Sequence, residues 1–133
     1  MIVDSSAIVA VVLGEPGHDR LIDHLAGAGH VRVGAPTLAE TGLVLMSRMG
    51  LSGRTLLARF VQDAPLEVLP FGAEHASVAL DAFNRYGKGR HPAALNFGDC
   101  MTYAVARVAV EALLCVGDDF PRTDLDLVVS AKG

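Results

Sequence analysis

Short apolar runs alternate along the chain with longer segments in which apolar residues recur every three or four positions. The short runs predict strands at Met1 to Val3, Val31 to Val33, Glu67 to Leu69 and Ala112 to Val116, with a fifth over Leu127 to Val129. The longer segments predict helices over residues 6–13, 18–26, 36–49, 52–62, 73–86 and 97–110. Strands that alternate with helices are typical of βαβ crossovers. We therefore expect an α/β fold with a central parallel sheet of four to five short strands and helices on both faces.

Capping and breaking residues set the expected ends of these helices. Ser5 is expected to cap the first helix, Ser52 to open the fourth and Asn96 to cap the last. Pro36 suits the first turn of the third helix because its missing N–H is not needed there. In the last helix, we expect these residues to face inward: Phe97, Met101, Ala104, Val105 and Val108.

Length and composition predict a packed core and a single domain. The chain has 133 residues, of which 51% are hydrophobic and 20% charged, so we expect a single domain over residues 1–133. The mean hydropathy of +0.40 indicates either apolar surface that a partner covers or an Ala- and Val-rich composition typical of a GC-rich genome.

Net charge and cysteine usage exclude some classes of protein. A net charge of −4 argues against a passive binder of phosphate backbones, but less against a nuclease whose acids hold metal ions. Cys100 and Cys115 lie in apolar segments without metal-ligand spacing, which favours buried, reduced thiols. The apolar run from Ala7 to Leu13 has no basic segment before it, and no run reaches the roughly 18 residues of a membrane span. The expected location is cytoplasmic, without membrane contact.

Four acidic positions stand where predicted strands end or helices begin. They are Asp4 in MIVDSS, Glu40 in APTLAETGLVLM, Asp99 in LNFGDCMTYAV, and the pair Asp118 and Asp119 in LLCVGDDF. Ligands of open α/β sheets bind beyond the carboxyl ends of the strands, so these acids are expected at one site. Clustered carboxylates repel one another unless a cation is bound. The pattern therefore predicts a pocket for Mg²⁺ or Mn²⁺, the apparatus with which metal-activated water cuts phosphodiesters.

Each acid also has a local explanation. Asp4 could cap the first helix, with Ser6 as a further capping hydroxyl or as a group that orients Asp4, and Glu40 could lie on a helix surface. Asp99 in a first helical turn interacts favourably with the helix dipole, and one of the two adjacent acids could form a turn. Spacing alone leaves open which of Asp118 and Asp119 faces the site.

These motifs, in this order and spacing, resemble the PIN-domain ribonuclease toxins of the VapC type. The resemblance rests on MIVDSSAIVAVVLGEPG, APTLAETGLVL, LNFGDCMTYAVA and LLCVGDDFPRTDL, and it spans essentially the whole chain. LNFGDC and GDDFxxTD are the most specific elements, whereas many PIN domains share the first. Many members carry Thr at the position of Ser5, which retains a hydroxyl.

The resemblance implies a PIN-like fold and an endoribonuclease dependent on Mg²⁺ or Mn²⁺, with structured RNA such as tRNA as its target. It implies a cognate VapB-type antitoxin and a homodimer. Asp4, Asp99 and one of Asp118 and Asp119 would then hold the metal, and Glu40 would position or deprotonate the attacking water. The antitoxin is expected in a groove lined by Val9 to Leu13 and Leu43 to Met49, with a basic side chain in the acidic pocket.

Two alternatives have other consequences. A receiver-type phosphoacceptor domain needs an acceptor Asp after the third strand and a Lys after a later strand. This chain has Leu69 and Pro70 after the third strand, and no Lys follows Val116 until Lys132. A non-catalytic PIN-like binding module is the stronger rival. If RNA is the substrate, the following residues are candidates for phosphate contacts or are ordinary surface charges: Arg48, Arg54, Arg59, Arg85, Lys88, Arg90 and His91.

Overall fold

Four short parallel strands form the centre of the fold. The computed structural model describes residues 1–128. Strands β1 (Ile2–Val3), β2 (Val31–Gly34), β3 (Leu66–Leu69) and β4 (Leu113–Leu114) form one sheet in the order β3-β2-β1-β4. This confirms the predicted parallel α/β sheet. Of the predicted fifth strand, Leu127 makes a single parallel bridge to Leu113, and Val129 lies outside the described residues.

Six helices within residues 1–128 surround the sheet, and their ends differ from the predicted ones by a single residue at most. They are α1 (Ser5–Leu13), α2 (His18–Gly27), α3 (Ala35–Met49), α4 (Leu51–Asp63), α5 (Ala73–Tyr86) and α6 (Phe97–Ala109). A short 3-10 turn follows at Phe120–Arg122. No helix within residues 1–128 is long and apolar enough to cross a bilayer.

The core has two halves, one on each face of the sheet. Side chains alternate between the two faces of a strand, so neighbouring residues enter different halves. Ile2 and Leu113 pack with α5 and α6, whereas Val3 and Leu114 pack with the helices that precede β3. Strands β1 and β4 are therefore buried on both faces, whereas the edge strand β3 exposes Glu67 and Val68. At the centre of the sheet, polar groups reach a surface at the ends of the strands.

The structure corrects five local expectations. Asp4, not Ser5, is the N-cap of α1, and Gly50 precedes α4, which begins before Ser52. Phe97 was expected to face inward but is 78% exposed, because it is the first residue of α6 and lies beyond the core. Val9 is buried in the core between α1 and the sheet, so it cannot line a groove for a partner. Cys100 and Cys115 are both free thiols, as predicted, but only Cys100 is buried, and Cys115 is partly exposed.

Candidate active site

The carboxyl end of β1 lies at the point where the strand order reverses. The chain runs from β1 to one neighbour, β2, and later returns to place β4 on the other side. In open α/β sheets such a point opens a crevice beyond the strand ends. Asp4 follows β1 directly, at the bottom of this crevice.

Asp4 is almost fully buried, and three donors hold its carboxylate. Its Oδ2 accepts hydrogen bonds from the backbone N–H of Ser6 at 3.1 Å and from the Ser6 hydroxyl at 2.6 Å. Its Oδ1 accepts a bond from the Thr102 hydroxyl at 2.8 Å. Buried carboxylates are costly without such partners. Asp4 therefore caps α1 and is also fixed in orientation from α6.

Behind Asp4, buried hydroxyls continue the network into α3. The Thr102 hydroxyl lies 2.9 Å from the Thr37 hydroxyl, and because Thr102 already donates to Asp4, Thr37 must be the donor in this pair. The Thr41 hydroxyl donates to the backbone carbonyl of Thr37 at 2.7 Å. Sequence reasoning missed these threonines. The available signal was the spacing of three residues from Asp99 to Thr102, which places both on one side of α6.

Glu40 reaches the crevice from the second turn of α3. Its carboxylate lies against Gly98 so closely that a β-carbon at this position would overlap it. Burial raises the pKa of Glu40, the charge of Asp4 raises it further, and the side chain of Ser5 lowers it in part. Glu40 is thus a partly buried acid of the crevice and not a surface residue of α3.

Asp99 lies in the first turn of α6, where it forms a reciprocal cap with Asn96. The Asn96 side chain accepts from the Asp99 N–H at 2.9 Å, and the Asp99 carboxylate accepts from the Asn96 N–H at 3.1 Å. Burial nevertheless raises the pKa of Asp99 to about 6, the Asn96 hydrogen bond opposes this, and Asp4, Asp119 and Glu40 add repulsion. The cap does not offset the cost of placing this carboxylate beside the other acids.

Of the two adjacent acids after β4, Asp119 is the one whose charge raises the pKa of Asp99. Two features of the preceding backbone direct the chain here. The Val116 N–H donates to the Ser6 hydroxyl at 3.0 Å, and Gly117 has a φ of 106°, which suits a glycine. Asp118 and Asp119 are both exposed in the same bend, so the effect on Asp99, and not exposure, distinguishes them.

We refer to Asp4, Glu40, Asp99 and Asp119 as the acidic centre. Three of these acids also act on the thiol of Cys115. Burial and the charges of Asp4, Asp119 and Asp99 together raise its pKa to about 12, which is consistent with their lying close together. Within residues 1–128, none of the ion pairs involves a residue of the acidic centre. The fold therefore gathers carboxylates from four separate parts of the chain, and no cation within residues 1–128 pairs with them.

The chemistry of these donors fits a hard divalent cation. Every carboxylate offers oxygen ligands, which Mg²⁺ and Mn²⁺ prefer, and the neighbouring thiol stays protonated. In the described part of the chain, no three His, Cys, Asp or Glu side chains are arranged to hold one ion together. Mg²⁺ commonly uses only one or two carboxylates and keeps several waters, so direct contact with every acid is not required.

Comparison with known proteins supplies the family. Residues 1–125 match the PIN domain. The chain belongs to the PIN-domain family. Ribonuclease VapC36 of Mycobacterium tuberculosis is 54% identical over 127 residues, which cover 95% of this chain and 91% of the relative. The VapC ribonuclease Mb2004c of Mycobacterium bovis matches with the same identity and coverage. Within the PIN family, the chain therefore belongs to the VapC type.

Solved structures support the same fold at much lower sequence identity. The VapC20 toxin of Mycobacterium tuberculosis, described as cleaving the sarcin–ricin loop, superposes with a TM-score of 0.78 at 22% identity. That superposition covers 96% of this chain and 97% of VapC20. Such identity carries the fold alone, and it confirms the predicted PIN-like architecture of a parallel sheet between helices.

Proposed function

We propose that this chain is a metal-dependent endoribonuclease toxin that cleaves structured RNA, such as tRNA, and that a cognate antitoxin neutralises it. The observation that carries the proposal is the acidic centre, in which burial, and after it the repulsion between the acids, raises the pKa of Asp99 and Glu40. Such an arrangement lowers the stability of the folded protein unless a cation binds there. The identity to VapC ribonucleases supports RNA as the substrate.

Asp4, Asp99 and Asp119 are the residues that would hold Mg²⁺ or Mn²⁺, directly or through water. When bound, the ion would make a water molecule more acidic and offset charge on the phosphate. The three hydrogen bonds to Asp4 fix the orientation of its carboxylate and thereby the direction of the lone pairs that they leave unused. The sequence leaves open whether Asp118 or Asp119 is the fourth acid of the metal site. We assign it to Asp119, because its charge raises the pKa of Asp99, and we leave Asp118 outside the site.

Glu40 is the group proposed to position the attacking water and accept its proton. A general base works best when its pKa lies closer to the working pH than that of an ordinary carboxylate. Burial and the charge of Asp4 shift the pKa of Glu40 in this direction. Its contact with Gly98 places it on the same side of the crevice as Asp99.

The basic residues around the crevice differ in how free they are to bind RNA. Arg85 and Arg107 are engaged with Asp124 at 3.4 and 2.8 Å. Lys88 and Arg90 lie exposed in the loop that precedes α6, and Arg122 of the Phe120–Arg122 turn reaches a carbonyl of this loop at 3.4 Å. We assign phosphate contacts to Lys88, Arg90 and Arg122 ahead of Arg85.

The antitoxin surface is proposed on the face formed by α1, α2 and α3. Leu43 of α3 is 68% exposed, and Met49 is also exposed, while Val11 to Leu13 of α1 are partly exposed. Exposed apolar area of this kind marks protein interfaces. The structural neighbour VapBC2 of Rickettsia felis has a TM-score of 0.77 at 15% identity and supports an antitoxin partner for this fold.

For the predicted homodimer, a second apolar surface is available beside α5 and α6. It is a groove of about 680 Å³ lined by Phe71, Leu80, Phe83, Phe97 and Met101, among others. We propose that two copies meet here and expect Leu80→Asp to yield a monomer by light scattering. Leu51→Asp, which changes an equally exposed leucine on α4, should leave the mass unchanged.

The test of the nuclease is cleavage of total tRNA, and separately of a synthetic sarcin–ricin loop, by purified protein. Each reaction is run with Mg²⁺, with Mn²⁺ and with EDTA, beside Asp4→Asn and Asp99→Asn. We expect discrete fragments that require metal and are lost in both variants while circular dichroism shows an intact fold. Retained cleavage in either variant would contradict the assignment. Absence of both cleavage and Mn²⁺ binding would favour the non-catalytic binding module.

A further inference from the structure

Asp124, in the motif GDDFxxTD, makes a second polar cluster that the proposed chemistry does not use. Its Oδ1 accepts from the Tyr103 hydroxyl at 2.6 Å, and its Oδ2 accepts from Arg107 at 2.8 Å and from Arg85 at 3.4 Å. Burial alone would raise the pKa of Asp124, but the Tyr103 hydrogen bond and the two arginines bring it below its usual range. We call these four residues the Asp124 cluster.

The Asp124 cluster ties the segment after β4 to α6, the helix that carries Asp99. Asp99, Tyr103 and Arg107 follow one another at intervals of four residues, so they lie along one side of α6. The first belongs to the acidic centre, and the other two donate to Asp124. Asp119 thus lies near Asp99 at the start of α6. Asp124 is hydrogen-bonded to Tyr103 and Arg107, which lie one and two turns further along the same side of the helix.

The backbone between Asp119 and Asp124 is short and internally bonded. The Arg122 N–H donates to the Asp119 carbonyl at 3.2 Å, and the Thr123 hydroxyl donates to the Phe120 carbonyl at 2.7 Å. Phe120 is buried in the same half of the core as Tyr103. We therefore expect a displacement of Asp124 to be transmitted along this short backbone to Asp119.

We propose that Asp124 is a positioning residue, which fixes the segment from Gly117 to Val128 on α6 and thereby holds Asp119 in the acidic centre. This inference rests on the proposed function for its effect on catalysis. It concerns a residue outside the acidic centre. Tyr103 and Arg107 act with it as donors, and none of the three is assigned a contact with RNA or metal.

The experiment compares Asp124→Asn with Asp126→Asn, which makes the same change of charge at an exposed acid of the same segment. Four quantities are measured in the full chain: hydrogen exchange of the peptide over residues 117–128, the Mn²⁺ dissociation constant by calorimetry, and kcat and KM for RNA. For Asp124→Asn we expect faster exchange, a roughly tenfold weaker Mn²⁺ affinity and a roughly tenfold lower kcat, with KM little changed. Tyr103→Phe should shift the same quantities in the same direction, and Asp126→Asn none of them.

Unchanged exchange in Asp124→Asn would overturn the anchoring. Faster exchange with unchanged Mn²⁺ affinity would overturn the positioning of Asp119, because the anchor would then be purely structural. A wild-type protein that binds Mn²⁺ but cuts no RNA would contradict the proposed function, while exchange and Mn²⁺ affinity would still decide the role of Asp124. A wild-type protein that binds no Mn²⁺ would overturn both.

Discussion

The acidic centre and the Asp124 cluster are both built on α6, yet they treat negative charge in opposite ways. Asp124 has two arginines and a tyrosine hydroxyl around its carboxylate, and its pKa is lowered. Asp99, nearer the start of the same helix, is surrounded by three further carboxylates, and its pKa is raised to about 6. One carboxylate is balanced by the protein, and the other is not.

The difference separates a structural acid from a functional one. A carboxylate with its own cations stabilises the fold directly, and it needs no ligand. Carboxylates that are gathered without cations oppose folding at neutral pH, so the favourable interaction must come from a bound ion. Under the proposed function, the acidic centre gives up stability in return for metal binding. The predictions below test this difference between the two regions.

The largest effect is expected from removing charge at one of two adjacent acids. Asp119→Asn should lower kcat/KM by at least about a hundredfold, because loss of an outer-shell group at a metal site already costs about 10–100-fold. Asp118→Asn, an identical change one residue earlier, should stay within about threefold of wild type, because surface substitutions rarely matter. Initial rates on one RNA substrate measure both. Equal losses in the two variants would remove the distinction between Asp118 and Asp119.

A comparable effect is expected from crowding the acidic centre without changing its charge. Gly98→Ala places a carbon where the Glu40 carboxylate lies, so Glu40 must move. A misplacement of about 1 Å can cost a hundredfold in rate, and we expect a loss of about 10–100-fold in kcat. Urea unfolding should show little loss of stability, since alanine favours a helix over glycine. Gly72→Ala, where a new carbon meets nothing, is the matched control; wild-type kcat in Gly98→Ala would show that Glu40 has no fixed position.

The fold was accessible from the sequence because its signals are local. Periodicity and caps gave the six helices and the four strands of residues 1–128 almost to the residue, as the cap at Asn96 and the range Ala73–Tyr86 show. Phe97 was misplaced because a residue at the first position of a helix can point past the core that the rest of the helix covers.

The sequence identified the acids of the candidate site. It treated helix capping and membership of the site as alternatives, but one residue can do both. Asp4 caps α1 and lies in the acidic centre, and Asp99 does the same for α6. Helix N-termini that converge on one crevice place their caps there, so the two roles coincide. Asp119 could not be separated from Asp118 in the sequence, because the two acids are adjacent in one bend and only the fold shows that Asp119 acts on Asp99.

Hydrogen bonds between residues far apart in the sequence could not be predicted from local sequence patterns. Thr102 donates to Asp4 across 98 residues, and Asp124 accepts from Arg85 across 39. Neither residue had a local pattern that indicated its partner. The threonine resembled any small residue on a buried helix face. The aspartate stands in the specific motif GDDFxxTD, but the motif does not indicate which residues donate to it.

A third prediction concerns stability as a function of pH in protein without metal. The pKa of Asp99 rises from 3.8 to about 6 on folding. Between these values the folded protein binds more protons than the unfolded one, so Asp99 lowers the free energy of unfolding as the pH rises through this window. Asp99→Asn lacks this cost, because its side chain carries no charge. The variant should therefore be more stable than wild type above pH 6 and equal to it below about pH 4.

Urea unfolding at several pH values measures this effect, and metal should reverse it. Added Mn²⁺ binds the folded wild type and raises its free energy of unfolding, whereas Asp99→Asn should respond weakly. Asp81→Asn, at an exposed acid of α5, is the control and should follow wild type throughout. If Asp99→Asn is less stable than wild type at pH 7.5 without metal, then the cap with Asn96 outweighs the repulsion, and the acidic centre resembles the Asp124 cluster after all.

The smallest effect is expected from the hydroxyl that orients Asp4. Thr102→Val keeps the shape of the side chain but removes the donor to Asp4 and leaves the buried Thr37 hydroxyl without its acceptor. The unsatisfied hydroxyl should cost about 1–3 kcal/mol in the free energy of unfolding. Loss of orientation should lower kcat about tenfold. Thr102→Ser retains the hydroxyl and should restore kcat even if the lost methyl group lowers stability. A Ser variant as slow as the Val variant would mean that packing on α6, and not the hydrogen bond, holds Asp4 in place.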